Sequence, residues 1–259
     1  MRAIDIINLM EEWAPRDLVE EWDNTGFQIG NSERQVEKIL LALDLDREVF
    51  KRAKDIKAQM IITHHPLIFN PLSSITRLNY KEKLIYDIIK EDIVVYSAHT
   101  NLDLAKGGVN DRLAEILGIQ NPRPLSPVCE DFGYGRVGQV EKVSLEEYLN
   151  IVKRELDTEY LIVYGNINKN IERVAVCGGS GSDFIKDASK ADADIYITGD
   201  IKYHDAQFGN ELGLILVDAG HFHTEKTILP VIKKYIERSL KENLEIEIYN
   251  QSSPPYTVF

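Results

Sequence analysis

Hydrophobic positions along the chain alternate between a helical period and short apolar runs, which predicts an α/β fold. Residues 3–13 carry an apolar stripe typical of a helix that ends before Pro15, and the continuous apolar run at 58–63 is typical of a strand. The same reasoning predicts further strands at 37–44, 92–100, 159–164, 173–178, 193–200 and 213–220, and helices at 47–58, 79–92, 107–119, 144–155, 203–212 and 222–242. Pro230 predicts a kink or a break in the last of these helices.

The predicted elements divide into two α/β domains. Residues 120–127, "QNPRPLSP", carry three prolines and give the best candidate for a domain boundary. We therefore assign 126–217 to a second domain. The last helix and a short final strand are expected to return to the first domain, which then comprises 1–125 and 218–259.

Composition and charge limit the classes of function. The 259-residue chain has a formal net charge of −12, which disfavours nucleic acid as a partner. No apolar run approaches the roughly 20 residues that cross a bilayer, and acidic residues near the N-terminus argue against an export signal. Cys129 and Cys177 lie far apart and outside any CxxC pattern, so we expect unpaired thiols in a cytoplasmic protein.

The histidines share one kind of position. Each lies at or just past the C-terminal end of a predicted strand, or in the first turn of the helix that follows. In open α/β sheets this edge is where ligands bind. The six are His64, His65, His99, His204, His221 and His223.

The adjacent pair in "THHP" supplies two imidazoles that can bind metal. Neighbouring residues of a strand point to opposite sides. His64 and His65 can therefore share one metal only if the strand has already ended. Otherwise they face two metals, or a metal and a supporting partner.

Two further segments offer oxygen and nitrogen ligands. Asp103 follows a predicted strand as a hard oxygen ligand, with a helix N-cap for the segment beginning near Ala105 as the alternative. His221 and Glu225 are spaced i and i+4. If a helix has begun at His221, both side chains lie on one face in a chelating geometry.

Other polar residues near the strand ends are given supporting roles. We expect His99 to support the site through a hydrogen bond and His223 to be solvated or packed. Asp200 and His204 are candidates for general acid/base catalysis or substrate contact, with a capped helix start as the alternative. The glycine-rich segment 177–183, "CGGSGSD", favours a tight structural turn over a phosphate cradle, because its spacing matches neither standard phosphate fingerprint.

These motifs together resemble a known family. Their order is similar to that in the GTP cyclohydrolase I type 2 homologues, also called Nif-three-like (NGG-interacting factor) proteins, in the short form that lacks an inserted middle domain. The motifs are "EEWDNTGFQIG" (20–30), "THHPLIF" (63–69), "YSAHTNLD" (96–103), "GRVG" (135–138), "GDIKYHDA" (199–206) and "DAGHFHTE" (218–225). Gln28 is a mild departure, since a more variable or apolar residue is expected there.

The resemblance implies two α/β domains with mixed sheets flanked by helices, and a binuclear metal centre in the cleft between them. It also implies a homohexameric ring. Carried over residue by residue, the metal ligands are His64, His65, Asp103, His221 and Glu225.

Five nitrogen and oxygen ligands are too many for one open tetrahedral zinc. They suit two divalent ions roughly 3.5–4 Å apart, bridged by Glu225 or Asp103. The donor set fits zinc, iron or manganese. The predicted function is a metal-dependent hydrolase in which metal-activated hydroxide acts on a nucleotide or phosphoester, and the family's name points to GTP ring opening. The alternative is a non-catalytic, metal-stabilised assembly or regulatory protein.

Overall fold

The computed structural model describes residues 1–129, 132–240, 244–251 and 254–257. The chain forms two compact units, Met1–Leu102 with Leu229–Ser253, and Asp103–Ile228 with Pro254–Phe259. Each unit is a mixed sheet flanked by helices, which confirms the predicted fold class. The bounds differ from the predicted domains, because 103–125, 218–228 and Pro254–Phe259 belong to the second unit.

The sheet of the first unit has five strands among the described residues, β1 (Gly26–Ile29), β2 (Lys38–Ala42), β3 (Met60–Thr63), β4 (Val94–Ser97) and β11 (Glu245–Ile248). Their order in the sheet is β1-β4-β3-β2-β11. Strands β2, β3, β4 and β11 are parallel, and β1 runs antiparallel to β4. Every residue of β3 and β4 is buried, as expected for parallel strands that are covered on both faces.

Helices cover this sheet, and side-chain caps start two of them, Arg47–Asp55 and Tyr80–Lys90. The Asp46 side chain accepts a hydrogen bond from the backbone N–H of Val49 (2.8 Å), which satisfies an amide that has no partner within the helix. Leu84 and Ile88 pack into the core against the strands. The helices are α1 (Ala3–Trp13), α2 (Arg47–Asp55), α3 (Tyr80–Lys90) and α10 (Leu229–Ser239), and the short α4 (Thr100–Leu104) leads the chain into the second unit.

The sheet of the second unit has six strands within the described ranges, β5 (Gln120–Pro127), β6 (Gly133–Ser144), β7 (Ile162–Tyr164), β8 (Asn170–Ser180), β9 (Ile195–Gly199) and β10 (Ile215–Asp218). Their order in the sheet is β5-β6-β8-β9-β10-β7. Strands β8, β9 and β10 are parallel, and the remaining pairs are antiparallel. The helices are α5 (Val109–Ile116), α6 (Leu145–Leu156), α7 (Ile185–Lys190), α8 (Tyr203–Glu211) and α9 (His221–Glu225).

Packing explains why the second unit begins at residue 103. Leu113 and Leu117 of the α5 region share a core with Val174 and Val176 of β8. Segment 120–127, predicted to be a boundary, forms the edge strand β5 of the same sheet. An edge strand tolerates proline because an edge position does not require every backbone N–H.

The end of the chain matches the predicted break. Pro230 is the second residue of α10, where a missing backbone N–H removes no helical hydrogen bond. A separate helix, α9, and a 3₁₀ turn at Lys226–Ile228 precede it. The two cysteines are both free, as predicted. No helix in the described ranges has the length and apolar character to cross a membrane.

Candidate metal-binding residues

His64 and His65 lie immediately beyond the end of β3, which stops at Thr63. The requirement that the strand must have ended is therefore met, and the two ring centroids lie 5.0 Å apart. The Thr63 hydroxyl donates to the backbone carbonyl of His65 (2.8 Å), which fixes the turn at the strand end.

His99 lies beside this pair in the first unit. It follows β4, and its ring centroid is 5.3 Å from that of His64 and 5.5 Å from that of His65. Each of the three offers one ligand atom, and these atoms lie within 4.8 Å of one another. We call His64, His65 and His99 the imidazole group. The position of His99 in the sequence predicted only a supporting hydrogen bond, whereas its ring is also placed as a candidate ligand.

Hydrogen bonds determine which nitrogen of each imidazole carries the proton. Nδ1 of His64 lies 2.7 Å from the carbonyl oxygen of Ala98, and Nδ1 of His65 lies 2.8 Å from Asp44 Oδ1. Nδ1 of His99 lies 2.9 Å from Asp23 Oδ1. A carbonyl and an ionised carboxylate only accept, so Nδ1 is protonated in each ring and the lone pair is on Nε2. This tautomer and partner type are those of metal-ligating histidines.

Asp23 is held in its ionised form. Burial raises the pKa of this carboxyl, but hydrogen bonds from His99, Thr100 and Thr25 outweigh that effect and hold the pKa well below its usual range. The Thr100 hydroxyl lies 2.7 Å and the Thr25 hydroxyl 2.6 Å from Asp23 Oδ2. Sequence reasoning missed the roles of Asp23 and Asp44. The strand-end rule, applied to acidic residues as well as histidines, would have found Asp44, which lies two residues beyond β2.

Gln28 connects the "WDNTG" segment to the loop that follows the histidine pair. Its Nε2 donates to the carbonyl of Asn24 (2.5 Å), and its Oε1 accepts from the backbone N–H of Ile68 (2.9 Å). Asn24 Nδ2 donates to the carbonyl of Ile68 (2.5 Å). Gln28 therefore uses its side-chain amide to anchor this loop.

Two exposed aromatic side chains flank the imidazole group. Trp22 is 59% exposed and Phe69 39% exposed, and their ring centroids lie 5.9 Å apart. The His99 ring lies 6.2 Å from Trp22 and 6.5 Å from Phe69. Apolar aromatic rings are thus accessible next to the candidate nitrogen ligands.

In the second unit, His221 and Glu225 lie on one face of α9. The helix begins at His221, and Nε2 of His221 lies 3.1 Å from Oε2 of the buried Glu225. Ligand atoms at about 2.0–2.2 Å from one metal ion lie about 3 Å apart, so this spacing suits chelation. On its other side, Nδ1 of His221 lies 2.7 Å from Asp200 Oδ2.

The glycine-rich segment 177–183 packs against α9. The backbone N–H of Gly179 donates to Thr224 Oγ1 (3.0 Å), that of Gly178 to Asn110 Oδ1 (2.9 Å) and that of Gly181 to Thr198 Oγ1 (2.9 Å). Because these amides already have acceptors within the protein, they are not arranged as a phosphate cradle. The segment is not a single tight turn, because residues 177–180 form the end of β8 and Ser182–Phe184 form a 3₁₀ helix, but its role is structural as predicted.

The remaining candidates have different surroundings. Asp103 lies in α4, and α5 is instead preceded by Gly108 at its N-cap, so the N-cap alternative for Asp103 is wrong. His204 is exposed on α8, with Nδ1 3.0 Å from Gln207 Oε1. His223 is buried, with Nδ1 3.3 Å from the carbonyl of Leu156, and burial lowers the pKa of its imidazole.

Comparison with known proteins places these residues in a family context. The sequence model of Duf34/NIF3 (NGG1p interacting factor 3) matches residues 1–255. A Clostridium perfringens protein named GTP cyclohydrolase 1 type 2 homolog is 40% identical over 259 residues, covering 99% of each chain. A Methanocaldococcus jannaschii protein of the same name is 39% identical, covering 96% of this chain and 98% of its own. The crystal structure of a Bacillus cereus protein related to NIF3 superposes with a TM-score of 0.92 at 28% identity, covering 100% of this chain and 99% of its own.

Proposed function

Because the chain belongs to the Duf34/NIF3 (NGG1p interacting factor 3) family, we propose that it binds divalent metal and uses it to hydrolyse a nucleotide or phosphoester. The observation that carries the metal proposal is the imidazole group, in which all three Nδ1 atoms face oxygen acceptors. Histidines kept for packing alone do not require three rings with the same tautomer and ligand atoms within 4.8 Å.

We propose His64, His65, Asp103, His221 and Glu225 as the metal ligands, holding two divalent ions per chain. The donor set of neutral imidazoles and carboxylates, without thiolate, fits zinc, iron or manganese. His99 is a further candidate, since its ring belongs to the imidazole group. Divalent ions held by these residues would lower the pKa of a coordinated water and stabilise negative charge on a phosphate or on a purine ring.

Metal analysis tests the ligand proposal directly. Protein purified without chelator is expected to carry close to two ions per chain, and His64→Ala and Glu225→Ala are each expected to lose metal. His204→Ala keeps every proposed ligand and is the matched histidine control. Fewer than one ion per chain in the unmodified protein, or unchanged metal in both ligand variants, would contradict the proposal.

The protein's own side chains would orient the substrate and move protons. Trp22 and Phe69 present accessible ring faces beside the imidazole group, which favours a substrate with a planar heteroaromatic ring, such as a nucleotide, over a simple phosphoester. His204 and Asp200 stay our predicted catalytic residues. Of these, His204 has the exposed ring that can exchange a proton with a substrate, whereas Asp200 holds the Nδ1 proton of His221.

Activity is tested on the metal-loaded protein with a panel of nucleotides and phosphoesters. We expect hydrolysis of a nucleotide, its loss in His64→Ala and Glu225→Ala, and a higher KM in Trp22→Leu. Turnover that survives both ligand substitutions would assign the activity to another site or to a contaminant. Equal turnover of nucleotides and ring-free phosphoesters would argue against the role of Trp22.

A second candidate function is a metal-stabilised homohexameric ring that catalyses nothing. Large apolar side chains are exposed in the first unit around α3, including Leu78, which is 94% exposed, and Ile75 and Ile89. Exposed apolar side chains of this kind could contribute to a contact between subunits. Light scattering after gel filtration, with and without chelator, tests this candidate: a metal-dependent hexamer without turnover supports it, and an active monomer rules it out.

We also propose a cytoplasmic location and no nucleic-acid partner. Free Cys129 and Cys177 suit a reducing compartment, and the net charge of −12 opposes binding to phosphate backbones. Filter binding of duplex and single-stranded DNA at low salt tests the second point, and retention with a steep salt dependence would contradict it.

A further inference from the structure

A small polar cavity lies over strands β5, β6 and β8 of the second unit. Its volume is about 190 Å³, and it is lined by two arginines, Arg123 and Arg173, together with side-chain amides. Among the described residues the lining contains no carboxylate. The cavity therefore combines positive charge with neutral hydrogen-bonding groups. The amides belong to Gln120, Asn121 and Gln139.

The strand register brings these side chains together. Gln120 pairs with Gln139 on the neighbouring strand, and Gln139 pairs with Arg173 on the next, so the three form a row on one face of the sheet. The pairing is irregular between Gln120 and Arg123, where Asn121 has a left-handed backbone with φ of 49°. Bulges of this kind re-aim side chains and are common next to functional sites.

Gly138 is required for this arrangement. A Cβ at that position would lie 2.5 Å from the carbonyl oxygen of Gln120 and 2.6 Å from Cγ2 of Ile119. The irregular part of β5 can therefore approach β6 only where β6 lacks a side chain. The backbone around the cavity is thus fixed by the close packing of two strands.

The two arginines lack the carboxylate partners that most arginines of this acidic chain have. Arg123 makes neither a hydrogen bond nor an ion pair within the described ranges, and it is exposed. Arg173 donates from Nη1 to the carbonyl of Ala191 (3.0 Å) and has no ion pair there either. Both residues line one cavity whose described lining has no carboxylate, so an anion in the cavity would balance their positive charge.

We propose that this cavity binds the phosphate group of a small molecule. Two guanidinium groups match the charge of a phosphate dianion, and their planar forks bind phosphate oxygens in pairs. The amides supply further donors. A volume of about 190 Å³ is many times the roughly 10–15 Å³ that one water requires on the same measure, which leaves room for a phosphate and part of the group that carries it.

The site is separate from the candidate metal ligands of the same unit. Arg173 lies near the start of β8, and Gly179, which contacts Glu225, lies near its end. Six residues of strand span about 20 Å. Phosphate binding here is therefore independent of metal, which distinguishes this proposal from the proposed hydrolase function.

Isothermal titration of inorganic phosphate into the full-length, chelator-treated protein at constant ionic strength tests the proposal. Arg123→Gln is expected to weaken phosphate binding at least tenfold, because Arg123 has no structural contact to lose. Arg238→Gln removes another arginine that forms no ion pair in the described ranges, and it is expected to leave binding unchanged. Arg173→Lys keeps the charge but loses the planar fork, and it is expected to weaken binding as well.

Three results would overturn the proposal. The first is that the unmodified protein does not bind phosphate, and the second is that Arg123→Gln and Arg238→Gln weaken phosphate binding equally. The third is that Glu225→Ala abolishes phosphate binding while Arg123→Gln leaves it unchanged. Acetate, a monoanion, is expected to bind at least tenfold more weakly than phosphate. Equal affinity for acetate would show that the cavity does not select a dianion. Unfolding midpoints of the variants establish that each one is folded.

Discussion

Nδ1 of His221 lies 2.7 Å from Oδ2 of Asp200, although 21 positions separate the two residues in the chain. The parallel pairing of β9 and β10 brings them together, because Asp200 follows the first strand and His221 follows the second. Asp200 has a left-handed backbone with φ of 57°, which turns the chain at the end of its strand. The carboxylate therefore determines which nitrogen of His221 holds the proton and which faces Glu225.

Asp200→Asn is predicted to lower metal affinity about tenfold. Partners of this kind raise the basicity of a ligating imidazole, and their loss typically costs 10–100-fold in metal affinity. Asparagine tolerates the left-handed backbone, so the turn should persist. Competition with a chromogenic chelator measures the effect. Asp192→Asn is the control, since Asp192 also has a left-handed backbone (φ 55°) but lies in the turn before β9. Equal metal affinities in the two variants would show that Asp200 does not support metal binding.

Gly179→Ala is predicted to disturb Glu225 and to lower metal affinity at least tenfold. Gly179 has φ of 66°, and a Cβ there would lie well inside the van der Waals radius of Glu225 Oε1. The left-handed backbone itself adds about 1–2 kcal/mol for a residue with a side chain. Metal titration measures the effect on Glu225, and urea unfolding measures the loss of stability from the strained backbone.

Gly213→Ala is the matched control for Gly179→Ala. Gly213 has φ of 70°, and a Cβ at that position meets no atom within 4 Å. Gly213→Ala therefore loses stability through the same left-handed backbone, but its new methyl group makes no steric contact. We expect both variants to lose similar stability from the backbone, with metal affinity reduced only in Gly179→Ala. A Gly179→Ala protein that binds metal as tightly as Gly213→Ala would show that Glu225 is not a ligand.

The regular elements could be predicted because their patterns are local. Helix α1 has the bounds that the apolar stripe of 3–13 predicts, and β3 and β9 fall within their predicted apolar runs. Strand β1 was missed because Phe27 and Gln28 are exposed or half-buried, so four residues at a sheet edge carry no clear period. Strand β5 was mistaken for a boundary because its prolines are tolerated only through its edge position, which the sequence does not reveal.

The residues of the candidate site could likewise be predicted only where their positions follow from a local pattern. The strand-end position of the histidines follows from local periodicity, and so does the shared face of His221 and Glu225. The partners Asp23 and Asp44 depend on which strand lies beside which, and β1 lies next to β4 through a pairing that no local pattern encodes. For the same reason His99 could be placed after a strand but not beside the rings of His64 and His65.

The two cysteines are predicted to react with thiol reagents at very different rates. Cys129 is exposed, whereas burial raises the pKa of the Cys177 thiol to about 12 and keeps reagents away from it. With an aromatic disulfide reagent at pH 7.5, we expect one thiol per chain to react rapidly and the second only in denaturant. The Cys129→Ser protein should then show no rapid phase. Two rapid thiols in the native protein would contradict the buried placement of Cys177.

Asp194 is predicted to give the second unit a pH-dependent stability. Its Oδ2 accepts from the backbone N–H groups of Glu172 and Arg173 (2.9 Å each), and its Oδ1 lies 2.8 Å from Lys169 Nζ. Burial raises the pKa of this carboxyl, but Lys169 and the two amides outweigh burial and lower it. A pKa that is lower in the folded state stabilises the protein above the unfolded value of about 3.9, and this stability is lost as the pH falls through the folded value.

Asp194→Asn should therefore reduce the free energy of unfolding by about 1.5–3 kcal/mol at pH 7, the range for hydrogen bonds to a charged group. Below about pH 4 its stability should depend less on pH than that of the unmodified protein, because the titrating group is gone. Urea unfolding between pH 3 and 7 measures both effects. Asp192→Asn removes the same charge two residues away, from a side chain without a partner in the described ranges, and should change little. A parallel pH dependence in the unmodified protein and in Asp194→Asn would show that the Asp194 carboxylate does not hold the starts of β8 and β9 together.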